Sequence, residues 1–193
     1  MKKYLIVSCE TSGLNFEKLR HPNVNDNNIN YVMVSVGMVV TDDKFNKLDE
    51  LYLEIDYSDY PKLIAWDKDA IAIHSLSSEH LRESGLPVDD AIEEICSFLF
   101  THFETNVIPL VGHNPGTFVF PFLDDLLKTY ELPFKFSTNM IDLSTLGIVL
   151  LGAKNKRDIF TLFNVSKQRN ALIDARSIGK CLQQITKMWN TIL

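Results

Sequence analysis

Residues 4–14, reading Tyr-Leu-Ile-Val-Ser-Cys-Glu-Thr-Ser-Gly-Leu, constrain the fold more than any other stretch. Tyr4, Leu5, Ile6 and Val7 make an unbroken apolar run, the pattern of a central strand covered on both faces. Side chains alternate along a strand, so Ser8 and Glu10 share one face and Cys9 takes the other. Glu10 falls where the strand gives way to a Thr-Ser-Gly turn. Open α/β sheets bind ligands at the carboxyl ends of their strands, which makes Glu10 a candidate site residue. A solvated Glu at a strand end would carry the same signature.

The rest of the chain alternates strand and helix patterns. Asn15 to Asn30 holds Pro22 and seven Asn or Asp residues, whose side chains compete for backbone hydrogen bonds. It predicts an extended, mobile loop. Tyr31–Thr41 and Leu48–Ile55 read as further strands, giving three antiparallel strands joined by turns. Trp66–Ile73 reads as a short helix, and Ser77 as the N-cap of another through Arg82. After Pro87, Val88, Ala91, Ile92, Ile95, Phe98 and Leu99 recur at helical spacing. Val107–Val111 and Phe136–Ile141 are the fourth and fifth strands. Between them, Gly112 to Gly116 turns into a helix bearing Phe122, Leu123, Leu126 and Leu127. Asp142 reads as a strand end or helix N-cap before a short helix at Leu143–Leu151. Ala171–Ile192 closes the chain as a long amphipathic helix. The expectation is a mixed five-stranded sheet, three antiparallel strands first, with helices on both faces.

The chain has 193 residues, 46% of them hydrophobic, which suits one domain over residues 1–193. No apolar run is long enough to span a bilayer, and the N-terminus lacks a signal-peptide pattern. Cys9, Cys96 and Cys181 are far apart in apolar surroundings, as expected of reduced core residues in a cytoplasmic protein. Net charge is −6 but uneven. Residues 151–193 carry eight Lys or Arg against Asp158 and Asp174, leaving the acidic excess in residues 1–150. Such segregation suits a polyanion-facing surface, with Lys154, Lys156, Arg157, Lys167 and Arg176 as phosphate contacts. It also arises without function. The Lys- and Asn-rich character suits a phage or low-GC bacterial source.

Three stretches together resemble one family. Glu10-Thr11-Ser12-Gly13-Leu14 is similar to the first motif of the DEDD 3′–5′ exonucleases, the DEDDh type of ribonuclease T, oligoribonuclease and polymerase proofreading subunits. Val34-Ser35-Val36-Gly37 resembles the strand that follows. Gly112-His113-Asn114 with Thr117-Phe118-Val119 resembles the second motif, and Arg169 to Ala175 the third. The resemblance covers nearly the whole chain and implies a ribonuclease H-like fold. In that family four carboxylates hold two divalent ions, Mg²⁺ or Mn²⁺, and a histidine takes the proton of the attacking water.

This chain departs at three of the five catalytic positions. Ser8 stands for the first Asp, Val119 for the second-motif Asp and Arg169 for the His; Glu10 and Asp174 remain. Serine is a poor ligand, valine is none, and an arginine stays protonated. The expectation is a degraded site in which Arg169 pairs with Glu10 or Asp174. No cofactor is expected; were the chain active, Glu10 and Asp174 would be the ligands for Mg²⁺ or Mn²⁺. Asp124 and Asp125 point away from Val119 on a helix and are not replacements. The resemblance also implies nucleic-acid contacts at Thr11, Leu14, His113, Asn114 and Phe118, although Leu14 and Phe118 equally suit a core or rim, and His113 a helix cap. The expected role is therefore binding, of a single-stranded nucleic-acid end or a protein partner. The rivals are an active exonuclease with an atypical site, and an interaction module unrelated to nucleic acid.

Overall fold

The computed structural model describes residues 2–13, 29–60, 63–155, 158–165 and 168–192. In chain order the strands are β1 (Tyr4–Thr11), β2 (Ile29–Asn30), β3 (Met33–Thr41), β4 (Lys47–Asp56) and β5 (Leu63–Ile64), followed by helices α1 (Lys68–His74) and α2 (Ser78–Ser84). Next come β6 (Leu86–Pro87), α3 (Val88–His102), β7 (Val107–Ile108) and β8 (Leu110–Gly112). A π-helical turn at Pro115–Val119 leads into α4 (Phe120–Thr129), then β9 (Lys135–Phe136), β10 (Ile141–Asp142), α5 (Leu143–Leu151), α6 (Asp158–Leu162) and α7 (Ala171–Ile192). Of the Asn-rich loop, only Ile29 and Asn30 fall among the described residues.

The main sheet has the order β10-β8-β1-β3-β4-β6. β1, β3 and β4 are antiparallel neighbours, while β8 and β10 run parallel to β1. The sheet therefore has six strands rather than the expected five. The sixth, β6, is two residues that pair with Ile55 and Asp56, and a Leu-Pro pair carries no strand pattern. The expected fourth strand splits at Pro109, which has no N–H for a ladder and instead accepts a hydrogen bond from Leu5 through its carbonyl. Leu110–Gly112 stays in the main sheet, whereas Val107–Ile108 leaves to pair with Lys135–Phe136. The expected fifth strand is likewise divided between two sheets, Phe136 pairing with Ile108 and Ile141 with Val111.

Alternation along β1 sorts its side chains into two cores. Leu5, Val7 and Cys9 pack with Ile95 and Leu99 of α3 and Leu123 and Leu126 of α4. Ile6 packs on the other face with Val39, Val111, and Ala175, Ile178 and Leu182 of α7. Each fully buried aliphatic side chain contributes about 1.5–3 kcal/mol, so the continuous Tyr4–Val7 run needs both layers. Ser77 and Asp142 act as N-caps, accepting from the His80 and Ser144 N–H groups. No described helix is long and apolar enough to cross a membrane.

Candidate functional site

The site is built where α7 meets the sheet. Gly37 of β3 lies opposite Ser8 of β1, and the backbone of Ala171 and Leu172 presses directly on Gly37. Further along, Gly179 lies against the Ile6 side chain. The first turn of α7 thus crosses the sheet beside Ser8, at the carboxyl end of β1. Ser8 and Glu10 point to this face, as their alternation with Cys9 predicts.

Asn170 caps α7. Its Oδ1 accepts the N–H groups of Leu172 and Ile173, both at 3.1 Å, and its carbonyl accepts the Asp174 N–H. Asp174 follows on the sheet side, only 4% exposed, and its Oδ1 accepts the Gln168 N–H at 3.1 Å. Ser8, Glu10 and Asp174 therefore gather on one face. Across the sheet the same row continues from Glu10 to Ser35 to Glu54. Glu54 accepts the Tyr52 hydroxyl at 2.6 Å and lies 2.9 Å from His80 Nε2. Burial, then the Glu54 carboxylate, push the Tyr52 phenol well above its ordinary range.

Arg169 is not in this cluster. It is exposed, has a left-handed backbone (φ 55°) and makes no hydrogen bond or ion pair among the described residues. The expected ion pair is overturned for a local reason. Asn170 is the cap, so Arg169 precedes the helix, and its backbone conformation places it outside the helical face that carries Asp174.

Val119 ends the π-helical turn, 3% exposed, within the larger core. Asp124 forms an i,i+4 ion pair with Lys128 at 2.6 Å. Among the described residues no three Asp, Glu, His or Cys side chains converge to hold a metal ion. Two carboxylates, a neutral hydroxyl and a buried valine do not fit a pair of hard divalent ions.

The first-motif turn is held from several sides. Thr11 is buried and its hydroxyl donates to the Gly13 carbonyl at 2.7 Å. Ser12 donates its N–H to the Val32 carbonyl, its own carbonyl accepts the Asp67 N–H, and its Oγ accepts the Val32 N–H. His74 Nδ1 accepts the Leu76 N–H, so its proton sits on Nε2, which donates to the Thr11 carbonyl at 3.0 Å. Burial lowers the His74 pKa, against the opposing pull of the Thr11 bond. No residue pattern signals this role, because the ring's partners are backbone atoms. Leu14 lies outside the described residues, as do Lys156, Arg157 and Lys167.

The second-motif turn depends on Asp142. Its Oδ1 accepts the N–H groups of Asn114, at 2.9 Å, and Ser144, at 3.0 Å, and also the Ser144 hydroxyl; Oδ2 accepts from Thr145. Burial opposes the charge, but the bonds from Ser144, Asn114 and Thr145 prevail and hold this carboxyl below its ordinary range. Asn114 is left-handed (φ 61°), and the π-helical turn follows directly. Such turns occur often at functional sites. His113 is half-buried beside the Phe160 ring, and Phe118 packs edge-on against Phe122. Lys154 is exposed, while Arg176 is occupied by Glu50.

The sequence matches no family model and no curated protein. Solved structures do match. E. coli exonuclease I in complex with a dT13 oligonucleotide aligns with TM-score 0.70 at 14% identity, over 100% of this chain and 42% of that one. The zinc-bound E. coli exonuclease I–single-stranded DNA complex aligns with TM-score 0.67 at 15% identity, over 98% of this chain and 40% of that one. Exonuclease I from Methylocaldum szegediense gives 0.66 at 15% identity, over 94% and 40%. This chain spans about two-fifths of the length of these proteins. At such identities the likeness concerns architecture, and the chain has the ribonuclease H-like fold of the exonucleases.

Proposed function

We propose that the chain is a degenerate member of the DEDD exonucleases that binds the end of a single-stranded nucleic acid without efficiently hydrolysing it. The observation that carries this reading is the make-up of the α7 face. Glu10 and Asp174 persist there, but Ser8 is neutral and Val119 is sealed in the core. A two-ion hydrolysis would need negative oxygens at both altered positions. The binding half of the reading draws support from the exonuclease I neighbours that hold oligonucleotides, dT13 and dA16. It also draws on the turn at Thr11–Gly13 and the Asn114 turn, which keep their hydrogen-bonded supports although the catalytic set is incomplete.

A second reading has one observation in its favour. Two of the family's carboxylate positions, Glu10 and Asp174, are kept on one face. A weak site for a single ion, and slow 3′–5′ trimming, would follow.

The deciding experiment incubates the protein with a 5′-labelled single-stranded oligonucleotide in Mn²⁺ and follows both retention and product length. Retention that weakens with salt and no shortening is the expected result. Ladder-like shortening abolished by Glu10→Ala would establish the second reading instead. No retention of DNA or RNA at low salt would overturn nucleic-acid binding and point to a protein partner.

A further inference from the structure

Further along the β3–α7 contact than the candidate site, a cavity of about 240 Å³ opens between the β3–β4 hairpin and the middle of α7. Val39, Gly179 and Phe45 give it an apolar wall, and Lys47, Arg176 and Lys180 stand around it. Glu50 answers only part of that charge. It binds Arg176 through two hydrogen bonds, at 2.7 and 2.5 Å, and Lys47 at 3.0 Å. The surroundings are cationic on balance, on a chain whose net charge is −6.

Two further features mark it as more than a packing gap. Thr41 lines the cavity, is 1% exposed, and its hydroxyl has no hydrogen-bond partner. A buried hydroxyl left unpaired is destabilising and ordinarily has an explanation. The Phe45 wall is also fixed. Its backbone is left-handed (φ 61°), its carbonyl accepts from Gln183 Nε2 at 2.8 Å, and its ring stacks on Tyr4. A bulky residue in that region is strained unless its surroundings hold it there.

We propose that this cavity binds a small organic anion, a compact apolar body bearing one carboxylate. The volume takes a phenyl-sized group with a short arm, since a cavity of about 150 Å³ already accepts benzene. The apolar wall takes the body, the lysines attract the charge, and the Thr41 hydroxyl, once turned toward the cavity by rotation about χ1, supplies a hydrogen bond otherwise unmade. Neither the nucleic-acid end nor the α7-face carboxylates take part, so the inference stands apart from the function proposed above.

Phenylacetate is the probe, titrated into the full chain and followed by amide NMR shifts, with phenylacetamide as its neutral twin. The expected result is saturable shifts centred on Val39, Thr41, Phe45 and Gly179, at millimolar affinity or better. The amide should bind about tenfold more weakly. Lys180→Glu, an exposed change, should weaken phenylacetate and leave the amide unaffected. Thr41→Val should weaken both, its thermal melt confirming that it folds. Equal binding of acid and amide, indifference to Lys180→Glu, or no shift at about 10 mM phenylacetate would overturn the proposal.

Discussion

A Cβ placed on Gly37 would lie 2.3 Å from the carbonyl carbon of Ala171, closer than any real contact. Glycine inside a strand ordinarily weakens it, and here it permits the close approach of a helix backbone. That approach seats the first turn of α7, and with it Asp174, beside Ser8. Gly37→Ala must therefore push α7 away, and overpacking of this kind costs about 1–3 kcal/mol. Urea denaturation should show that loss, while Gly116→Ala, whose Cβ would meet only Met140 Sδ at 3.7 Å, should change stability by less than about 0.5 kcal/mol. Equal stability of the two variants would mean that α7 does not rest on β3.

Neighbouring residues Asn170 and Arg169 should behave oppositely. Asn170 satisfies two N–H groups at the start of α7, and replacing such a cap by alanine costs about 1 kcal/mol. Arg169 is exposed and outside the carboxylate cluster, so Arg169→Ala should stay within about 0.5 kcal/mol of wild type. A larger loss for Arg169→Ala than for Asn170→Ala, in thermal melts, would restore the ion pair expected from the sequence.

The contrast between these two shows what was legible in the chain. Apolar patterning announced β1, β3, α3 and α7, because each buries a long apolar face. The N-caps Ser77 and Asp142 were legible from residue type. What escaped were features set by distant backbone. Proline at 109 redirected a strand whose composition looked continuous, and the left-handed turn at Arg169 removed a charge from a face that motif spacing alone assigned to it. His74 escaped for a related reason. A lone histidine next to a turn has no pattern, and its partner Thr11 lies 63 residues away.

His74 should make stability depend on pH. Its folded pKa is lowered from 6.5, so the native state binds fewer protons than the unfolded chain. Its contribution is full above about pH 6.5 and is lost as pH falls through the lowered folded value. Chemical denaturation at a series of pH values should show the decline beginning near 6.5, and His74→Gln should abolish that part of the profile. An unchanged profile in the variant would mean that Nδ1 is not the acceptor for Leu76.

Asp142 acts at lower pH. Its carboxyl lies below 3.8 in the folded chain, so its contribution is complete above about 3.8 and lost as acid protonates it. Asp142→Asn keeps the size but weakens the bonds to Asn114 and Ser144. We expect about 1–2 kcal/mol of destabilisation at neutral pH, shrinking as the wild type is itself protonated. Amide exchange at Asn114 should quicken in the variant; unchanged exchange there would detach Asp142 from the second-motif turn.

The degraded site can be challenged by rebuilding it. Ser8→Asp and Val119→Asp together place carboxylates at two buried positions, and without a cation each unpaired charge costs several kcal/mol or takes up a proton. The double variant should melt well below wild type in EDTA. If these positions face Glu10 and Asp174 as the motif spacing implies, Mn²⁺ would bind the native form only, and the melting temperature should rise with its concentration. Wild type, with two carboxylates alone, should respond weakly. Each single variant should respond little, because a coordination set missing one member holds its ion poorly. A double variant that stays unstable at every Mn²⁺ concentration would show that Val119 does not open onto the α7 face, and the four-carboxylate ancestry inferred for this pocket would fall with it.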